Sequence, residues 1–134
     1  METIAVFGPF NQAMQAALQN SLSAISFHLV FSPEMDQALL EQADYVILRT
    51  LRLDAPEIAH LNRCKLIQRW GAGFDTVDIA AAGKRGIPVA VTAGMNATPV
   101  SEMALALMLA VYRNLVPMTL DAMDGTWSLL YRQR

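Results

Sequence analysis

Short apolar runs alternate with segments of helical spacing along almost the whole chain, and this alternation limits the fold more than any other feature. The predicted strands are residues 3–7, 25–31, 44–48, 66–70 and 87–91. The predicted helices are residues 11–22, 33–42, 56–61, 77–84 and 98–115. Strands that alternate with helices pair in parallel through right-handed crossovers. The pattern therefore predicts an α/β fold with an open, mostly parallel, five-stranded sheet and helices on both faces.

Several residues predict where individual elements begin and end. Ser32, Pro33 and Glu34 suit the start of the second helix, because serine caps helices and proline fits the first turn. Pro88 cannot donate a ladder hydrogen bond. The fifth strand is therefore predicted either to lie at a sheet edge or to begin at this residue. Pro117 is predicted to break the last helix.

The last helix is apolar on every side over residues 103–112. A helix of this kind must be buried all round. It is either the central core helix of its own domain or an interface helix that packs on another domain or chain. We expect the interface, with residues 98–116 at the contact, because a five-stranded domain of this size covers only one side.

Composition and charge exclude several classes of protein. In the 134 residues, 54% are apolar and 16% charged, which excludes disorder and fits one folded domain. A net charge of −2 argues against nucleic-acid binding. The longest charge-free apolar run has ten residues, short of the ~20 of a membrane span. The single cysteine, Cys64, forms no internal disulfide, and no metal site is expected. We therefore expect a cytoplasmic protein without a signal peptide.

The segment Gly71-Ala72-Gly73 is the best local candidate for a binding site. It follows a predicted parallel strand, at the sheet edge where α/β proteins bind ligands, and free N–H groups of such a turn attract an anion. The alternative is an ordinary strand-to-helix turn. It is not a dinucleotide fingerprint, because Thr76 stands where the third glycine belongs.

Polar residues at the same predicted edge are further candidates. Arg49 ends the third strand and could bind a carboxylate, or be a solvated arginine, and Arg69 is a lesser candidate. Asn96 could donate to an anion or simply form a turn. Asp75 is predicted to cap the following helix, with Asp78 in its first turn. The two histidines, His28 and His60, are interpreted as structural.

Residues 66–114 resemble the D-isomer-specific 2-hydroxyacid dehydrogenases through three ordered motifs. The G-x-G-x-D-x-[VI]-D motif is represented by Gly71, Gly73, Asp75, Val77 and Asp78. The strand motif [KR]-G-I-x-V is represented by residues 85–89. The helix-start motif is represented by Asn96, Val100, Ser101 and Glu102, and the family's later G-x-W by Gly125 and Trp127. The resemblance covers nearly the whole chain.

The resemblance implies a flavodoxin/Rossmann-like substrate-binding domain over residues 1–97, then an interdomain helix and C-terminal extension over 98–134. It implies that the chain is a truncated or short form without the nicotinamide-binding domain, which holds the catalytic residues. The implied carboxylate site comprises the N–H groups of Ala72 and Gly73, with Arg49 and Asn96 beside the substrate. Ala97 replaces a small hydroxyl residue near the cofactor, so that contact is weak.

Two functions follow as alternatives. The first is the substrate-binding portion of an NAD- or NADP-dependent dehydrogenase of 2-hydroxy acids, inactive alone, with no catalytic residue and no cofactor bound to this chain. Its partners are a small 2-hydroxy or 2-keto acid and either the missing domain or a second copy in a homodimer. The second is a non-catalytic flavodoxin-like module that binds a small anion or a partner.

Overall fold

Five parallel strands form the sheet of the computed structural model, which describes residues 1–126. They are β1 (Glu2–Phe7), β2 (Phe27–Ser32), β3 (Tyr45–Leu48), β4 (Leu66–Arg69) and β5 (Val89–Val91). Their order is β2-β1-β3-β4-β5, as in flavodoxin-like folds. The predicted parallel sheet is confirmed, and β5 lies at an edge, as Pro88 suggested.

Four helices lie between these strands. They are α1 (Gln12–Ser21), α2 (Gln37–Gln42), α3 (Ala55–Ala59) and α4 (Ile79–Lys84). Alternate residues of β1 face opposite sides of the sheet, as the strand period requires. Ile4 and Val6 belong to a cluster with Met14 of α1, whereas Ala5 and Phe7 belong to the core that holds residues of α2, α3 and α4. The predicted placement of helices on both faces is confirmed.

Two predicted helix starts are wrong. The second helix begins at Gln37 rather than near residue 33, because Ser32 still pairs in β2 and the Asp36 carboxylate caps the Leu39 N–H at 3.1 Å. The cap of α4 is Asp78, which accepts from the Ala81 N–H at 2.9 Å. Asp75, the predicted cap, lies three residues before the observed cap.

A second compact unit begins at Asn96, whereas the first comprises Met1–Met95. The second unit contains α5 (Ala97–Tyr112) and α6 (Leu115–Met123). Neither helix includes a buried residue. The interpretation of α5 as a core helix of this chain is therefore wrong. Trp127 of the G-x-W motif lies outside the described residues.

The break between α5 and α6 is not at Pro117. It lies at Asn114, which adopts the left-handed conformation with φ 52°. Pro117 lies in the first turn of α6, where its missing N–H costs nothing. Within residues 1–126 no single helix is long and apolar enough to cross a membrane; α5 and α6 pass that test only together, and they are bent by 63°.

Candidate functional site

The carboxyl ends of the three central strands lie level with one another. Phe7 of β1 pairs with Leu48 of β3, and Leu48 pairs with Arg69 of β4. After β1 the chain forms β2 on one side of β1, and it then crosses back to form β3 on the other side. This reversal makes the gap between β1 and β3 the switch point at which α/β sheets bind ligands.

Gly8 brings the two sides of this switch point into close contact. Its φ is +115°, and a Cβ placed on it would lie 2.1 Å from the Arg49 carbonyl oxygen. The Arg49 N–H donates to the Phe7 carbonyl at 2.9 Å, which holds the start of the next loop against the end of β1. Only glycine fits this position, because both the space and the backbone conformation exclude a side chain.

Arg49 lies at the predicted edge but is engaged within the protein. Its guanidinium donates to the Pro9 carbonyl and lies 5.7 Å from the centre of the Phe10 ring. Phe10 also contacts Trp70 edge-on, with ring centres 5.3 Å apart. The aromatic pair therefore connects the loop after β1 with the residue that precedes the glycine turn.

The glycine turn presents two backbone donors. Among the hydrogen bonds of the described residues, none is donated by the N–H of Ala72 or Gly73, and both residues are exposed. The turn is tied at its ends instead: the Gly71 N–H donates to the Arg69 carbonyl at 2.9 Å, and the Gly71 carbonyl accepts from Thr92 at 3.0 Å. Adjacent unpaired amides of this kind suit an anion.

Arg69 lies across the same turn, which sequence reasoning underrated. Its Nη1 donates to the Trp70 carbonyl at 2.7 Å and its Nε to Thr76 Oγ1 at 3.1 Å. A Cβ on Gly71 would lie 3.0 Å from Nη1. In the sequence, Thr76 stands out only as a departure from the dinucleotide fingerprint. No local pattern predicts that its hydroxyl accepts a hydrogen bond from Arg69.

Asp75 also belongs to the turn rather than to the helix. Its Oδ1 lies 2.9 Å from the position that a Cβ on Gly73 would take. A side chain on Gly73 would therefore have to displace Asp75. The two glycines leave room for the side chains of Arg69 and Asp75.

The predicted site residues are divided between the two units. Arg49, Ala72 and Gly73 lie on neighbouring strand ends of the first unit, whereas Asn96 and Ala97 belong to the second unit, where Ala97 begins α5. His60 lies at the end of α3, with Nδ1 3.2 Å from Glu41 Oε1, on the helices rather than the strand ends. Residues 1–126 contain no cluster of metal-ligating side chains.

The arrangement suits the binding of a small carboxylate better than acid–base chemistry. It offers unpaired N–H groups beside Arg69, and a carboxylate accepts hydrogen bonds from such donors readily. No histidine is among the residues that form the turn and its contacts, so the described site lacks an evident proton donor.

Comparison with known proteins identifies relatives over nearly the full chain. Residues 4–127 match the family described as D-isomer specific 2-hydroxyacid dehydrogenase, catalytic domain. Hydroxypyruvate reductase of Thermotoga maritima is 30% identical over 129 residues, which cover 92% of this chain and 41% of that protein.

Solved structures give the same result. A 2-hydroxyacid dehydrogenase from Ketogulonicigenium vulgare superposes with a TM-score of 0.75 at 28% identity, covering 96% of this chain and 42% of that one. The NAD+-bound 3-phosphoglycerate dehydrogenase of Entamoeba histolytica has a TM-score of 0.72 at 27% identity, covering 81% and 38%. The chain spans about two fifths of the length of these relatives.

Proposed function

Because the chain belongs to the D-isomer specific 2-hydroxyacid dehydrogenase family, we propose that it supplies the substrate-binding domain of such an enzyme. The reaction is the reversible transfer of a hydride between a 2-hydroxy acid and a nicotinamide cofactor. This chain's part is to hold the carboxylate of a small 2-hydroxy or 2-keto acid at the carboxyl edge of its sheet.

The observation that carries this proposal is the pair of unpaired amides at Ala72 and Gly73. They follow β4 directly, and Arg69 contributes positive charge beside them. A carboxylate has two oxygens, so one substrate group can accept from both amides at once. Fixing the carboxylate orients the neighbouring carbon, whose hydride is exchanged, and this positioning is the contribution expected of a binding domain.

The cofactor is NAD or NADP, and the described residues do not fit the dinucleotide. Its pyrophosphate binds a turn with three glycines, and Thr76 stands at the third position of this one. In addition, Thr76 Oγ1 already accepts a hydrogen bond from Arg69 Nε at 3.1 Å. No step of the hydride transfer is therefore assigned to residues 1–126, and Ala97 remains a weak candidate for a cofactor contact.

An NMR titration tests the carboxylate site. The 15N-labelled chain is titrated with glyoxylate, pyruvate and hydroxypyruvate, and the amide resonances of Ala72 and Gly73 are expected to shift most. Pyruvamide, which lacks the carboxylate, is the matched control and should leave them in place. Gly73→Val should weaken binding about tenfold or more, because its side chain obstructs the approach to the amide and a hydrogen bond to a charged group contributes about 1.5–3 kcal/mol.

Two outcomes would overturn the proposal. One is the absence of any shift at these amides at millimolar keto acid. The other is an equal response to inorganic phosphate and to every carboxylate, which would favour a general anion-binding module.

We propose further that α5 is covered by a second copy of the chain. Its apolar side chains are exposed, including Leu107 at 58%, Leu109 at 62% and Val111 at 78%. Burial of such surface stabilises association by ~25 cal/mol per Å2, so a homodimer, or exchange of this helix between chains, follows. A cytoplasmic location is likewise a proposal, supported by the single cysteine.

A further inference from the structure

The Arg69 side chain ties the two ends of the glycine turn together. Nη1 holds the Trp70 carbonyl at 2.7 Å, immediately before the turn, and Nε holds Thr76 Oγ1 at 3.1 Å, immediately after it. Arg69 is half-buried, whereas residues 72–75 between these contacts are exposed. The guanidinium is planar and rigid, so two bonds from it fix the distance between the ends of the turn.

Few other contacts hold the middle of the turn. At the ends of this segment, the Trp70 N–H donates to the Leu48 carbonyl and the Thr76 carbonyl accepts from the Leu53 N–H, both at 2.8 Å. Between them, backbone bonds join Gly71 to Arg69, Gly71 to Thr92 and Val77 to Phe74, and among the described residues none is donated by the N–H of Ala72 or Gly73. Amides without partners must be ordered when a ligand binds, which costs conformational entropy. A side chain that orders them beforehand lowers that cost.

Gly71 has a specific reason to lack a side chain. A Cβ there would lie 3.0 Å from Arg69 Nη1 and 3.5 Å from its Cζ. The first glycine of the motif thus leaves space for the guanidinium. Gly73 is an exposed residue, and its missing side chain leaves the space beside Asp75 Oδ1, which lies 2.9 Å from the position of a Cβ.

We propose that Arg69 is a positioning residue, which acts on the substrate through the turn by holding the Ala72 and Gly73 amides in their binding arrangement. The inference rests on the proposed carboxylate site and extends it to residues that do not touch the substrate. Thr76 contributes to the same positioning, because its hydroxyl accepts the hydrogen bond from Arg69 Nε.

A pair of variants at Thr76 isolates this role. Thr76→Val is nearly isosteric and removes only the hydroxyl acceptor, whereas Thr76→Ser keeps it. In the NMR titration with hydroxypyruvate, Thr76→Val should raise the Kd about three- to tenfold, the value of one net hydrogen bond, and Thr76→Ser should retain the wild-type Kd. The 15N order parameters of Ala72 and Gly73 should fall in Thr76→Val alone.

Arg69→Gln completes a double-mutant cycle with Thr76→Val. If both act through one contact, the double variant should bind no more weakly than Arg69→Gln, because coupled residues are not additive. Melting temperatures of all variants are measured in parallel, so that a loss of affinity without a loss of stability identifies positioning.

The outcomes separate this inference from the proposed function. If the wild-type amides of Ala72 and Gly73 do not respond to hydroxypyruvate, the carboxylate site itself is wrong. If they respond and Arg69→Gln weakens binding while Thr76→Val does not, Arg69 contacts the ligand directly and the positioning role is refuted. If neither variant changes the Kd or the order parameters, the positioning role is refuted as well.

Discussion

Replacing Gly8 by alanine should destabilise the first unit strongly, because the structure leaves no room for a methyl group. The new Cβ would lie 2.1 Å from the Arg49 carbonyl oxygen and 3.3 Å from the Arg49 Cβ. The first of these distances is far below van der Waals contact, and the obstructing atom is backbone. Either β1 and the loop after β3 separate, or the backbone of Gly8 changes conformation.

The expected cost has two parts. Holding a residue with a side chain at φ +115° costs about 1–3 kcal/mol. Inserting a methyl group into a closed contact costs about 1–3 kcal/mol more. The sum is about 2–6 kcal/mol, a large share of the 5–15 kcal/mol that is typical of whole domains.

Gly86→Ala is the matched control. Gly86 also has a positive φ, +68°, but no atom lies within 4 Å of the position of its Cβ. Only the backbone cost remains, about 1–2 kcal/mol for a left-handed residue. Urea unfolding followed by circular dichroism measures both free energies of unfolding. If Gly8→Ala proves no more costly than Gly86→Ala, the close approach at the switch point is wrong.

Three further predictions concern stability, activity and association. The bidentate Arg63 guanidinium and the Thr3 N–H hold the pKa of Asp44 below its usual value, so its contribution to stability is present at neutral pH and lost as pH falls below about 4. Acid unfolding of Asp44→Asn should show a smaller pH dependence than wild type; an unchanged curve would contradict this. The purified 134-residue chain should oxidise no NADH with glyoxylate, pyruvate or hydroxypyruvate, and measurable turnover would refute the absence of catalytic residues. Leu107→Glu should shift the chain toward monomer in light scattering, whereas Gln19→Glu, an exposed position on α1, should not. A wild-type monomer at micromolar concentration would refute the dimer.

The strands were predictable because each is a short apolar run with its own boundary signals. Phe7 is followed by Gly8 and Pro9, and β4 is followed by the glycine turn, so local residues define where these strands end. The order of the strands and the placement of β3 beside β1 depend instead on which apolar faces meet, and no single segment carries that information.

The errors arise where two residues compete for one role. Asp75 and Asp78 both suit a helix cap, and the structure selects Asp78 because its carboxylate reaches the Ala81 N–H. Asn114 ends α5 before Pro117 can, since asparagine tolerates the left-handed conformation. The contact of Arg69 with Thr76 spans seven residues and depends on how a long side chain folds over its own turn.

The two ends of the sheet differ in how completely their polar groups are satisfied, and this difference separates folding from binding. At the amino end, Asp44 is buried and accepts from the Thr3 N–H at 2.8 Å and from Arg63 at 2.8 and 2.9 Å. At the carboxyl end, Ala72 and Gly73 are exposed, and within residues 1–126 their N–H groups donate no hydrogen bond. A buried carboxylate that loses its donors costs stability, whereas an exposed amide that lacks an acceptor costs little and remains available to a ligand. Substitutions at Asp44 should therefore change the free energy of unfolding without changing keto acid affinity, and Thr76→Val should do the reverse.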